Sequence, residues 1–494
     1  MFGRRRIYCD ADVINDGNIV EIITAAMSVH KKNATAIQNL RKYLSGDQPI
    51  LNRVKKTRED ITNKVVVNTA AEVMDFKLSY IFGSPLDIVR SANSESTVDI
   101  TPFQRMMREQ GKDGVDQVIA QDMLTGAFGY RGVLPNPDKG DISPFCMVDM
   151  NPETTFCVYK NDVFKRKLLG VSYVVKNEQS VVLTAYSDTT RYELVSAGID
   201  GDWKLVDASP NGVGLIPIIA YEMPELMGAF EKAIPLMNAL NTAASNRVDD
   251  LEQFIQSLLW ISGVELDEDA KKELKTSLCL LTPNVQDGAQ PQVKFLVNNL
   301  DQAGIQGMVD DLYYHILEVC SCPGREQSSG GNTGAATELG AGGWRKAQYS
   351  AERIISAWQK GDRDMYKVAL AILEKSSKTP TGLKGLKPTD LETKFTLSKS
   401  NDLLTKTQAL TTLIQAGVAP RSAIETVNLF SDPCGVYEES TEYIERALKR
   451  LEGSAKQSTE ADADDKRRGD VTNQPKSPEA LEQAANGRGT VQKN

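Results

Sequence analysis

Residues 233–261 read AIPLMNALNTAASNRVDDLEQFIQSLLWI, and this stretch decides the fold. Met237, Leu240, Ala244, Val248, Leu251, Ile255 and Leu258 recur every three or four residues, the stripe that one face of an α-helix presents. Asn246, Asp249, Asp250 and Gln253 fall on the opposite face. A helix over 233–261 is roughly 43 Å long, and Gly263 ends it. The pattern returns over Asp301–Cys322, where Ile305, Met308, Leu312, Ile316 and Val319 share a stripe before Pro323-Gly324 stops it. Between the two lies a small α/β module. Asp267–Leu278 reads as a short helix with acids in its first turn. Leu278–Leu281 and Gln292–Val297 read as two short strands around a polar turn. Helices that leave and return around a compact tip make a stalk with a head. One copy buries little of such a stalk, so the stripe calls for neighbours in a closed ring.

Toward the N-terminus, residues 18–45, 58–82 and 101–128 carry helical spacing, with Gly83-Ser84-Pro85 as a stop. From about 130 to 222 the period changes. Leu168–Val175, Ser180–Tyr186, Arg191–Val195, Trp203–Val206 and Ile216–Tyr221 are short apolar runs separated by turn residues, a β-rich insert with antiparallel connections. Toward the C-terminus, residues 324–343 hold seven glycines in 20 residues, which predicts a mobile loop. Trp344–Lys375 follows as a helix with Gly361 as a bend point. Glu392–Leu397 reads as a strand, and 402–416, 422–428 and 438–452 as short helices. After Gly453 almost no apolar residue remains, so 454–494 is expected to be disordered. The fold class is α+β, mainly helical.

The chain has 494 residues, 41% hydrophobic and 25% charged, an ordinary globular balance. No 18-residue apolar run exists to span a membrane. Arg4-Arg5-Arg6 is basic, but no apolar core follows it as a secretory signal requires. The net charge of -9 disfavours tight binding to DNA through a broad basic face. Seven cysteines, odd in number and scattered, read as reduced thiols.

Catalytic chemistry finds little material. His30 and His315 are the only histidines, and each sits in a helical apolar context that reads as structural. The glycine-rich stretch lacks the Gly-Lys-Ser/Thr of a phosphate-cradling loop and follows a helix, not a strand. Cys320-x-Cys322 is too closely spaced for zinc and has no second pair. Residues 265–269 fail the calcium-loop pattern. No enzyme and no cofactor are expected. Asp249, Asp250, Asp310 and Asp311, if they face the lumen of a ring, become negative bands that repel phosphates, so that DNA slides without sticking.

In order along residues 37–445, the chain resembles the portal proteins of tailed bacteriophages, of the kind found in siphophages of Gram-positive hosts. The resemblance rests on Tyr43-Leu44-Ser45-Gly46, on Asn63-Lys64-Val65-Val66-Val67-Asn68 through Tyr80-Ile81-Phe82-Gly83-Ser84-Pro85, and on Gly126-Ala127-Phe128-Gly129-Tyr130. Pro152 to Tyr159, Ser245 to Phe254 and the run Asn401–Glu442 continue it. One departure is that Ser329-Gly330 is followed by further glycines where the family continues into helix.

The resemblance implies a dodecameric ring at a capsid vertex. It implies a wing (1–224, with the β-rich insert 130–222, and 344–400), a stem (225–262 and 299–322), a clip (263–298), a crown (401–453) and a tail (454–494). It makes 323–343 the tunnel loop, with Ser328, Ser329, Gly330, Gly331, Asn332, Thr333 and Gly334 beside the DNA. Glu265, Asp267, Glu268, Lys271, Lys272, Asn284, Gln286 and Asp287 become clip contacts for the packaging motor and adaptor. Implied partners are double-stranded DNA, large terminase, head–tail adaptor, and capsid and scaffolding proteins, with the host cytoplasm as the site of assembly. The alternatives are a nucleotide-dependent packaging or remodelling enzyme, supported only by the glycine loop, or another structural neck protein.

Overall fold

The computed structural model describes residues 3–255 apart from 56–58, 92–93, 95, 97, 138–142, 178–179 and 200. It also describes 258–262, 292–296, 302–324, 334–376, 381–397 and 403–446, the last with breaks at 428, 431–434, 438, 442 and 444. The chain divides into two units, residues 1–401 and 402–494. Helices and sheets mix along the first as an α+β fold. The first half contains β1 (Ile7–Cys9), α1 (Ile19–Leu44), α2 (Thr69–Phe82), β2 (Asp87–Arg90), α3 (Thr101–Glu109), α4 (Lys112–Gly126), β3 (Phe128–Pro135), β4 (Phe145–Met150), β5 (Thr155–Lys160), β6 (Lys167–Asn177), β7 (Ser180–Tyr186), β8 (Thr190–Ser196), β9 (Lys204–Pro210) and β10 (Ile218–Glu222). Then come α5 (Ile234–Ile255), β11 (Leu258–Ser262), β12 (Gln292–Leu296), α6 (Gln302–Val319), α7 (Gly334–Lys375) and β13 (Leu391–Lys394).

A six-stranded sheet runs in the order β1-β5-β6-β7-β8-β9, parallel between β1 and β5 and antiparallel elsewhere. Along β7 every second residue, Val181, Leu183 and Ala185, is buried, the two-residue period of a sheet with one covered face. Ile19, Ile22, Ile23, Ala26 and Met27 of α1 supply the cover. A second core gathers α2, α3, α4, the sheet β10-β3-β4, the base of α5 and α6, and the buried face of α7 around Trp358, Met365 and Tyr366. The β2–β13 pair closes against it. The basic N-terminus belongs to this body: Arg4 is buried in an ion pair with Glu231, and Arg6 pairs with Glu222 at 2.6 Å.

Several elements depart from the periodicity reading. The helix expected over 58–82 begins at Thr69, capped by Asn68, and residues 61–68 lie outside any helix or strand. The run 101–128 is two helices, because Gly111 takes a left-handed φ of +64° between them. Helix α5 stops at Ile255, and the following Leu-Leu-Trp-Ile segment pairs antiparallel with β12, from Leu258 opposite Leu296 to Ser262 opposite Gln292. The strand expected at 292–297 is present as 292–296 and pairs with 258–262; the second strand expected at 278–281 and the helix expected at 267–278 lie outside the described residues. Helix α7 starts ten residues earlier than expected, so 334–343 of the glycine-rich stretch is helical. A helix already anchored by Ala347, Ala351 and Ile354 extends at small cost per residue, since nucleation is the expensive step. It is continuous through Gly361, where a Cβ would come within 2.6 Å of the Tyr221 ring, so this glycine permits close packing.

Within residues 402–494, α8 (Leu403–Gln415) packs on α9 (Pro420–Val427), burying Ala423 and Ile424. Gly417, with φ +88°, makes the left-handed turn that ends α8. Residues 447–494, including the expected tail, lie outside the described residues.

Candidate ring and channel elements

Helices α5 and α6 pack on each other, and the β11–β12 pair joins their far ends. The root of this strut is fixed in the body. Met237, Leu240, Ile316 and Leu317 are buried in the core, Tyr43 donates to Asn238 Oδ1 at 3.0 Å, and Tyr313 donates to Glu72 at 2.6 Å. Farther out, Arg247 reaches Gln306 across the helix pair. The apolar stripe of α5 continues past the body. Met237 and Leu240 are at most 1% exposed, but Val248 is 40% and Leu251 52% exposed, and Met308 on α6 is 49% exposed.

The flank of α5 beside this stripe holds an arrangement that periodicity did not reveal. Residues 61–68 lie along the helix, and alternate backbone N–H groups are received by side chains one helical turn apart. Val67 N–H donates to Asn241 Oδ1 at 2.8 Å, Val65 N–H to Ser245 Oγ at 3.0 Å, and Asn63 N–H to Asp249 Oδ1 at 2.7 Å. Two residues of extended chain advance about 6.6 Å and four of helix about 6.0 Å, so the two periods stay in step over three rungs. Asn63 Nδ2 adds bonds to Asp249 at 3.0 Å and Glu252 at 2.8 Å. The signal in the sequence was Asn241, Ser245 and Asp249 at i, i+4 and i+8, which reads equally well as a solvated face.

This corrects the reading of Asp249 as a lumen acid. Its side chain is 0% exposed, with Lys55 at 2.7 Å and Arg53 at 3.1 Å. Burial disfavours its charge, but the Lys55 ammonium and the Asn63 donors outweigh that and hold the carboxyl below its ordinary value. Asp310 and Asp311 are exposed and Asp250 is half-buried; Asp310 accepts from Gln306 at 2.7 Å. Of the loop residues, Gly334 is the first residue of α7, while Ser328, Ser329, Gly330, Gly331, Asn332 and Thr333 lie outside the described residues. The clip candidates Glu265, Asp267, Glu268, Lys271, Lys272, Asn284, Gln286 and Asp287 also lie outside them.

A second unforeseen constellation fixes α7. Arg131, in the middle of β3 and 0% exposed, pairs with Asp116 of α4 and lies 3.6 Å from Asp362 of α7. Lys112 pairs with Asp116, Tyr221 and Thr393 donate to Asp362 at 2.7 and 2.6 Å, and the Arg131 guanidinium lies 5.0 Å from the Tyr221 ring centre. Two cations and two acids thus neutralise each other in the core, as buried charge requires. An arginine inside the apolar run Gly129–Leu134 was the available signal.

The remaining chemical candidates have local roles. His30 is buried against Phe156, ring centres 4.4 Å apart, with Nε2 at 2.9 Å from the Glu153 carbonyl; burial lowers its pKa to about 4. His315 is exposed, 3.7 Å from Glu318. Cys320 and Cys322 are buried free thiols whose pKa values burial raises to about 12 and about 11. Among the described residues no group of three or more His, Cys, Asp or Glu is placed to hold a metal, and no helix is long and apolar enough to cross a membrane.

A two-helix strut with an open apolar stripe, rooted in an α+β body, is the geometry of a subunit that packs side by side. Comparison with protein families matches residues 27–457 to phage portal protein, SPP1 Gp6-like, and the chain belongs to that family. A search of curated proteins gives no match. The protein is therefore a phage portal protein, a ring-forming DNA conduit of the capsid; the family is structural rather than catalytic and works at the capsid vertex of the virion.

Proposed function

We propose that α5 and α6 form the stem of a dodecameric ring, that 263–291 with its flanking strands forms the clip, and that α8 and α9 belong to the crown. The stem stripe supports this: the face of α5 that is buried at Met237 and Leu240 is open at Val248 and Leu251 in a single protomer. Burying those two side chains on a neighbour contributes about 25 cal/mol per Å² of apolar area, repeated at every interface around the ring. Residues 325–333, between α6 and α7, take the role of the tunnel loop in this reading, and α7 links them to the wing.

Asp250, Asp310 and Asp311 supply the acid bands of the channel in this reading. A duplex passing between them meets repulsion from every side and no site at which to dwell, which suits a conduit that must load and release the genome. The clip meets the terminase motor and later the head–tail adaptor, the wing meets capsid and scaffolding proteins, and assembly takes place in the host cytoplasm.

Electron microscopy of the purified protein tests the stem assignment. Wild type is expected to give rings with a central hole, and Val248→Asp with Leu251→Asp to give protomers with unchanged circular dichroism. Rings that persist in the double variant refute the stem contact; a monomeric wild type refutes self-assembly of the isolated chain.

A further inference from the structure

Lys77 on α2 is 4% exposed, and among the described residues no carboxylate lies within ion-pair distance of it. Its hydrogen bond to Ser350 Oγ on α7 is long, at 3.4 Å. The nearby thiols Cys320 and Cys322 do not neutralise it, because burial keeps both protonated. A buried ammonium without a counter-charge is costly. Lys77 lines a cavity of about 120 Å³ bounded by α2, the turn before α5, the end of α6 and α7. Lys232 and Arg353 stand at its rim, both paired to Glu225, and Ser321 and Ser350 add hydroxyl groups to the lining. Three cations against one acid leave the cavity with an excess of two positive charges.

We propose that this cavity binds one small inorganic oxyanion of the phosphate or sulfate class, held by Lys77 from below and by Lys232 and Arg353 at the mouth. The cavity has room for several waters, enough for one tetrahedral anion beside Lys77. The site bridges α2, α6 and α7, the last two being the helices on either side of residues 325–333, so the anion ties together the base of that segment. A free anion and a DNA backbone phosphate share this chemistry; the burial of Lys77, beyond easy reach of a polymer backbone, favours the free anion.

Thermal unfolding of the full-length protein tests the proposal, with sodium phosphate compared against sodium chloride at matched ionic strength. Wild type is expected to gain about 2 °C or more at saturating phosphate. Lys77→Met keeps the volume but removes the charge; it is expected to lose the phosphate response and to match or exceed wild type in chloride. Lys232→Gln, at the accessible rim, is expected to weaken the phosphate response without loss of folding. No phosphate response in wild type, or an equal response in Lys77→Met, overturns the site. A Lys77-dependent response to a short duplex without one to phosphate overturns the assignment to a free anion.

Discussion

Replacing Asp249 with alanine tests the ladder between residues 61–68 and α5 most directly. The substitution removes the acceptor of the Asn63 N–H and Nδ2 groups and the counter-ion of Lys55 and Arg53. An orphaned backbone donor costs about 1–3 kcal/mol. Breaking a buried ion pair costs about 3–5 kcal/mol, but the side chains of Lys55 and Arg53 are 23% and 15% exposed and can turn toward water. A net loss of about 3 kcal/mol is the consistent figure, most of it local. At 1.4 kcal/mol per factor of ten, the segment 61–68 opens on the order of 100 times more often. Native-state hydrogen exchange reads this at the amides of Asn63 and Val65, with Ile22 and Ile23 of α1 as controls. Asp249→Asn keeps an acceptor and is expected to show a smaller effect, about tenfold. Unchanged exchange at Asn63 and Val65 in Asp249→Ala, or an equal rise in α1, refutes the ladder as a local clamp.

Arg131→Met leaves Asp116 with Lys112 alone and Asp362 with no ion-pair partner among the described residues, and is expected to lower stability by about 3–5 kcal/mol; adding Asp362→Leu recovers part of the loss, read by denaturant unfolding. Gly361→Ala improves intrinsic helix propensity by about 1 kcal/mol yet is expected to destabilise by about 1–3 kcal/mol, because the new methyl meets the Tyr221 ring at 2.6 Å; a raised melting temperature contradicts this. His30 has a folded pKa of about 4 against an ordinary 6.5. Between those values the unfolded chain binds the proton that the folded chain excludes, so stability is full above pH 6.5 and falls by roughly 3 kcal/mol toward pH 4. Subtracting the pH profile of His30→Leu isolates that contribution, and parallel profiles count against it.

Local periodicity carried much of the architecture. The β-rich insert was legible because short apolar runs such as Ser180–Tyr186 and Arg191–Val195 are separated by turn residues at a spacing too short for helices. Helix α1 was legible from its unbroken apolar stripe. Element ends were less so. Residues 258–261 fit the α5 stripe as well as they fit a strand, and the pairing with β12 that decides between them is thirty residues away in sequence. The glycines at 334–343 argued for a loop, but the buried face farther along α7 extends the helix into them. Site residues were harder still. Asp249 and Asp250 are adjacent and identical in type, and only the packing of residues 53–55 and 61–68 buries the first and leaves the second half-exposed. Arg131 and Asp362 meet across 231 positions, a contact no local pattern encodes.

The β11–β12 seam frees the segment between its strands from the packing of the strut. Ser262 faces Gln292 across the ladder, so the 29 residues between them leave and re-enter the strut through neighbouring positions. The cost of closing such an excursion grows only logarithmically with its length. The segment can be lengthened, shortened or exchanged between relatives while the seam holds the helices in register. In the proposed reading of this segment as the clip, docking specificity can evolve as a cassette, on a scaffold that does not need to be rebuilt each time.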